Sequence, residues 1–241
     1  MTHFRLFRAK SRNAGTESSR PFLDFARNER VWGAALIWFA LTAAAPLTAI
    51  EAERAFAADA QRLGQWTAFR KWAAPQAILF VPQPVNAHEF LKNATDPQLS
   101  YQWWPAKAFV SCDGSMAVTT GPSVRGNYRG YFTTIWQRQP DGSWRWLLDH
   151  GDRLERPRLA GERTQVQRAR CEAPFVSPLI GTKYKIEGGR SGAGQSRDGS
   201  LRWSWASGAK GERIISVSLA SGPDRIGTRF DRVLHDEVVA P

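Results

Sequence analysis

The chain of 241 residues carries 33 Lys and Arg against 22 Asp and Glu, a net charge of +11, with 42% apolar residues and two cysteines. The basic residues stand singly or among acids and form no stripe, which argues against a nucleic-acid partner. The four histidines, His3, His88, His150 and His235, fall at no metal-ligand spacing, and the sequence has no phosphate loop, dinucleotide fingerprint or nucleophile elbow, so neither metal nor cofactor is expected.

Residues 1–30 hold seven basic and three acidic side chains and lead into Val31 to Ala49, a stretch without one charge. Export signals and inside-facing membrane anchors share that pattern. The strongly apolar part ends near Ala45, short of the roughly 20 residues of a full span, and Pro46 precedes the small-residue site Leu47-Thr48-Ala49. The reading is export to a periplasmic or extracellular location, with cleavage after Ala49. The alternative is an uncleaved anchor over residues 31–49, the one case in which the protein meets a membrane. No Cys follows closely, which sets a lipid anchor aside. Residues 50–241 keep 26 basic and 19 acidic side chains, a net +7.

From Glu51 to Trp72, Ala52, Ala55, Phe56, Leu63, Trp66, Phe69 and Trp72 recur at steps of three and four, the period of an amphipathic helix, weakened at Gly64 and stopped by Pro75. Ala77 to Val81 reads as a strand closed by Pro82 and Pro84, and His88 to Asn93 as a turn or two of helix. The period then changes to two. Ala106 to Ser111, Met116 to Ser123, Gly130 to Gln139 and Ser143 to Asp149 form an expected four-stranded antiparallel meander, with Asp113-Gly114 and Asp141-Gly142 as hairpin turns. Arg153 to Arg158 marks a domain boundary. Beyond it, Gly188 to Gly199 is Gly and Ser rich and is expected to be a mobile loop, while Leu201 to Trp205, Arg213 to Leu219 and Arg229 to Val239 alternate as strands. The triplet Asp-Gly-Ser at 113–115, 141–143 and 198–200 precedes a strand each time, shared turn chemistry without a repeat fold. Removal of residues 160–241 is expected to leave the first domain folded.

Cys112 and Cys171 lie on either side of that boundary. In an oxidising compartment they form a disulfide worth about 4 kcal/mol for a loop of this size, or remain two separate buried thiols, and the sequence leaves both open.

The order helix, strand, short helix, meander resembles the nuclear transport factor 2-like superfamily, which includes ketosteroid isomerase and the SnoaL-like cyclases. Glu53-Arg54-Ala55-Phe56-Ala57-Ala58, Trp104-Pro105, Asp113-Gly114, Thr120-Gly121-Pro122, Gly130 to Trp136 and Asp141 to Asp149 look like its branch named domain of unknown function family 4440. The likeness covers residues 50–152. It implies an α+β fold: a cone-shaped, curved antiparallel sheet packed on an N-terminal helix in a cystatin-like manner, followed here by a β-rich extension. It also implies a conical cavity for a small molecule. Members include enzymes, binding modules and assembly domains, so fold does not settle function.

Phe69, Phe80, Trp103, Trp104, Phe132, Trp136, Trp144 and Trp146 are the candidate cavity aromatics, each with core filling as the alternative. Strict alternation puts Trp144, Trp146, Leu148 and His150 on one strand face and Arg145, Leu147 and Asp149 on the other, so Asp149 and His150 share a site only across a bulge. Asp149 and His150, at the end of the last strand, are the catalytic candidates, with Asp59 as a second carboxylate. A carboxylate in a dry aromatic cavity has its pKa raised and serves as a general base. The alternative for both acids is pairing with Arg145, Arg70 or backbone donors. Two functions follow. One is an exported protein binding a small apolar or aromatic molecule, with proton transfer or hydrolysis through Asp149. The other is a non-enzymatic envelope protein whose cone serves homodimerisation or partner binding.

Overall fold

The computed structural model describes residues 48–154, 158, 161–171, 186–224 and 227–238. The leader and most of the apolar stretch lie outside them. Helix α1 spans Ala49–Leu63 and is started by Thr48, whose hydroxyl accepts from the Glu51 N–H at 3.2 Å while the Glu51 carboxylate accepts from the Thr48 N–H at 2.9 Å. This capping box satisfies two of the orphan donors at the helix start. The helix thus begins two residues before the expected Glu51.

The single helix expected to Trp72 is two. Gly64, at φ +104°, breaks it, and a Cβ there would lie 2.4 Å from the Asp96 carboxyl. That carboxylate accepts from the Thr67 N–H at 3.0 Å and the Thr67 hydroxyl at 2.6 Å, so a residue about thirty positions on caps α2, Gln65–Trp72. Glycine is required here both for the backbone angle and for the approach of its cap.

Next come β1 (Ala73–Phe80), β2 (Pro84–Asn86), a short α3 (Ala87–Leu91), β3 (Gln102–Trp103), β4 (Lys107–Val110), β5 (Met116–Arg125), β6 (Tyr128–Arg138) and β7 (Trp144–Arg153). The expected meander is present as β4 to β7, and β1 starts four residues earlier than the sequence pattern implies. The sheet runs β2-β1-β7-β6-β5-β4-β8, with β3 beside β5. It is antiparallel except at β1 with β7 and at β4 with β8. Strand β8 (Gln165–Arg168) comes from beyond the expected boundary, so the extension contributes an edge strand to the first sheet.

A second, antiparallel sheet runs β12-β11-β10-β9, from β9 (Arg190–Gln195), β10 (Leu201–Ser207), β11 (Arg213–Asp224) and β12 (Gly227–Val238). The stretch expected to be a mobile loop supplies β9. Its glycines explain how: Gly192 and Gly194 pair with Trp205 and Trp203, and a Cβ on either would lie 2.5 Å from the indole. Each ring lies across the bare backbone of its neighbour, which shields a strand that propensity disfavours.

Three layers result. Phe56 of α1 meets Phe69, Trp103 and Trp136 edge to face at 4.8, 4.9 and 6.0 Å, filling the space between the helices and the concave face of the first sheet. On the convex face Phe80, Phe109, Met116, Val118, Ile135, Leu147 and Leu148 pack against Leu201, Trp205, Ile215, Val217 and Leu219 of the second sheet. A Cys112–Cys171 disulfide, Cα atoms 5.2 Å apart, staples the chain just beyond the paired edge strands β4 and β8 of the first sheet. Beside it two Asp-Gly-Ser turns clasp each other: the Asp113 N–H donates to Asp198 at 2.9 Å and the Asp198 N–H to Asp113 at 3.3 Å. The fold is α+β, a curved, mostly antiparallel sheet under N-terminal helices with a β-rich C-terminal layer. No helix among the described residues is long and apolar enough to cross a membrane.

Candidate functional site

Strand β7 decides which side chains reach the concave side. Its register against β6 pairs Trp136 with Trp146 but Ile135 with Leu148, leaving Leu147 as an extra residue. This bulge shifts the alternation by one. Trp144 and Trp146 face the helices, Leu147 and Leu148 both join the convex core, and Asp149 returns to the concave side. The face assignment made from strict alternation therefore fails at Leu147, and Asp149 shares a side with the tryptophans.

A cavity of about 300 Å³ opens at this end of the cone, at the lower edge of small-molecule pocket sizes. Trp66 and Phe69 of α2, Leu79 of β1, Trp103, Phe132 and Asp149 line it, with Tyr101, Arg125, Tyr128 and Asp152 among its polar groups. Of the expected aromatics, Phe69, Phe80, Trp103 and Phe132 line it. Trp136, Trp144 and Trp146 do not; they are core, buried behind the lining. Trp104 lies outside at 42% exposure, and its carbonyl sits where any side chain on Gly121 would go, 2.1 Å from a Cβ.

Asp149 Oδ2 lies 2.8 Å from the Thr134 hydroxyl. Asp149 is half-buried and lines the cavity. Burial, reinforced by the Glu53 carboxylate and only partly offset by Thr134, holds its pKa well above the usual carboxylate range.

His150 points the other way. Arg213 Nε donates to its Nδ1 at 3.1 Å, which leaves Nε2 to donate to the Tyr131 hydroxyl at 2.9 Å. Burial and the charges of Arg213 and Arg158 push its pKa well below the usual value, so it is a neutral imidazole. The ring borders the cavity, but both nitrogens are taken by the convex-side network, and no Asp149–His150 dyad forms.

Asp59 is not in the cavity either. Lys71 Nζ at 2.6 Å, Arg62 Nη2 at 2.7 Å and Trp72 Nε1 at 2.9 Å converge on it. Burial raises its pKa, but these donors outweigh burial and hold it below the usual range. It is an ion-paired acid, as in the alternative reading, with different partners.

The second carboxylate is Glu53, named from the sequence only as the start of a family-like motif. It is fully buried. Trp103 Nε1 donates to Oε1 at 2.6 Å, Trp136 Nε1 to Oε2 at 2.8 Å, and the Thr119 hydroxyl to Oε2. Burial raises its pKa against the pull of these donors and of Thr134. The signal was its position: Ala49, Ala52, Glu53, Phe56 and Ala60 form one buried stripe, and an acid on such a stripe needs partners. Among the described residues no three His, Cys, Asp or Glu side chains gather as metal ligands.

No protein-family model matches the chain, and no curated protein matches it. A solved structure described as a "putative ketosteroid isomerase" from Shewanella frigidimarina NCIMB 400 aligns with 44% of this chain and 95% of its own, at 16% identity and a TM-score of 0.33. The description of the cone rests on the strand order and register above.

Proposed function

We propose that this is an exported protein whose cone takes up a small, neutral, largely apolar or aromatic molecule, and that Asp149 meets the polar atom of that molecule and exchanges a proton with it. One observation carries the reading. Asp149 is a carboxyl at the cavity wall whose one hydrogen-bond partner among the described residues is a hydroxyl and whose pKa is raised by a neighbouring acid, an arrangement that costs stability and suits a general acid or base. The motif likeness to family 4440 belongs to this reading, as does export, which the uncharged stretch at 31–49 and the disulfide support. Dimerisation through the sheet would require displacing β10 and β11 from its convex face.

A thermal-shift screen of neutral cyclic ketones, phenols and aromatic alcohols tests the reading. A ligand at a hundred times its Kd should add about 2.7 kcal/mol of stability. For a ketone, Asp149 must donate, so affinity should fall as pH rises and Asp149→Asn should remove that dependence. A broad screen without a hit, or a hit equally tight in Phe69→Ala, would remove the cavity from consideration.

A further inference from the structure

The cavity wall carries hydrogen-bond donors that meet no acceptor among the described residues. Gln65, the first residue of α2, lines the cavity and is 2% exposed. Its Oε1 accepts from the Tyr101 N–H at 3.1 Å. A backbone N–H can only donate, so the remaining amide atom is Nε2, whose two hydrogens have no partner among the described residues. Ser123 of β5 lines the cavity at 8% exposure, and its hydroxyl is likewise without a described partner. Arg125, two residues on, lays its guanidinium 4.1 Å from the Tyr101 ring and has no acidic partner among the described residues, since Asp152, also at the cavity, is taken by Arg213.

We propose that Gln65, Ser123 and Arg125 form a second polar anchor of the cavity and bind a carbonyl oxygen of the ligand, which is a two-ended molecule with Asp149 at one end and this anchor at the other. This rests on the cavity reading above and adds a second polar atom to its ligand.

Placement brings the three side chains together. Strand β3 pairs with β5, Gln102 opposite Val124 and Trp103 opposite Ser123, so Tyr101, whose N–H holds Gln65, comes alongside Arg125. Ser123 and Arg125 stand two apart on one strand and share its face. Buried polar groups are ordinarily paired, and unanswered donors gathered on a cavity wall suit an acceptor brought in from outside. A carbonyl oxygen has two lone pairs and takes two donors at once, and the guanidinium makes one of these bonds charge-assisted. Register sets the distance to the other end. Ser123 pairs with Gly130 and Asp149 with Thr134, four positions farther along β6, which is about 13 Å of strand. Phe132 lies midway between those positions and lines the cavity, an apolar wall for the body of the ligand. A single ring is too short to meet both ends, and two rings in line span them.

Calorimetric titration of 4-acetyl-4′-hydroxybiphenyl and of its isopropenyl isostere, in which CH2 replaces the carbonyl oxygen, tests the anchor. In the wild type the acetyl compound should bind about tenfold tighter or more, the gain from a hydrogen bond to a charged donor. Arg125→Met should reduce that ratio to about threefold or less. Gln65→Glu keeps an oxygen for the Tyr101 N–H and loses the amide hydrogens, and Ser123→Ala loses only the hydroxyl; each should lower the ratio. Three separate positions keep the test decisive if one variant does not fold. Equal affinities in the wild type would mean that water alone satisfies these donors, and a ratio that survives every folded variant would put the carbonyl elsewhere; either result overturns the anchor. Binding by neither compound removes the cavity reading and the anchor with it, whereas equal binding removes the anchor alone.

Discussion

Asp149 and His150 are adjacent on β7 and meet opposite surroundings. On the convex side the charged groups beside His150 are paired: Arg213 serves His150 and Asp152, while Asp236 takes Arg158 and the Thr133 hydroxyl, under a second sheet that fills the space. On the concave side Asp149 has, among the described residues, a single hydroxyl as its hydrogen-bond partner, a second buried acid, Glu53, raises its pKa, and the space is left open. Buried polar groups are ordinarily paired, and a side of the sheet that leaves one short departs from that rule at a cost in stability. The contrast separates a polar network that holds layers together from one that is available to a ligand. It also moves the site away from His150, the residue type most readily taken for a catalyst.

The convex side gives the largest expected effects. Deleting residues 160–241 would bare Phe80, Phe109, Met116, Val118, Ile135, Leu147 and Leu148 and remove β8 from the first sheet. Contrary to the expectation from sequence, the remaining chain should lose cooperative unfolding in urea. A sharp transition in that fragment would show that the cone stands alone. Arg213→Met is next. It leaves His150 Nδ1 without its donor and strips Asp152 of its cation, which should cost about 3 kcal/mol by chemical denaturation, near the lower end for breaking a buried pair. A loss under about 1 kcal/mol would mean that the convex network is less tightly closed than its distances imply.

The same contrast marks what the sequence could convey. The meander was legible because its turns are local: Asp113-Gly114 and Asp141-Gly142 bring positive φ at Gly114 and Gly142, and the strands between them alternate. Phe69, Phe80, Trp103 and Phe132, picked out as aromatics, line the cavity, and Asp149, picked out by its place at the end of the last strand, borders it on the side of the tryptophans from which strict alternation excluded it. What failed depended on contacts distant in sequence. The Leu147 bulge is a mismatch between two strands and has no mark on either one. Gly64 ends a helix because Asp96 comes to cap the next, and the Gly-rich stretch is a strand because indoles from β10 cover it. Glu53 was visible as an acid on an apolar stripe, but its partners Trp103, Thr119 and Trp136 lie 50 or more residues away.

Opposite surroundings give the two residues opposite pH signatures. Asp149 keeps its proton in the folded chain to a pH well above the 3.8 of an ordinary aspartate. In that window the folded state binds more protons, so this contribution is full below the unfolded value and is lost as pH rises through the window. His150 stays neutral in the fold while the unfolded imidazole protonates near 6.5, so its contribution is present above that pH and is lost as pH falls. Asp149→Asn should therefore flatten the decline of stability with rising pH and leave the acid-side decline intact. Urea midpoints measured from pH 4 to 9 read both slopes, and an unchanged upper slope would place Asp149 among the ordinary ionised acids.

The smallest expected effect concerns the boundary of the concave layer, the start of α1. Thr48→Ala removes the hydroxyl that caps Glu51 and should cost about 1 kcal/mol. That figure bears on the export reading. A cut after Ala49 would discard Thr48 and the first residue of the helix, leaving Ile50 as a charged amino terminus inside its first turn, where the helix dipole disfavours positive charge. A cut before Thr48 keeps the capping box, and Ala43-Ala44-Ala45 offers small residues for it. The cap therefore favours the earlier cut, and N-terminal sequencing of exported protein should begin at or before Thr48. A start at Ile50 would mean that processing accepts the loss of the cap, and Thr48→Ala would then leave the stability of the exported form unchanged.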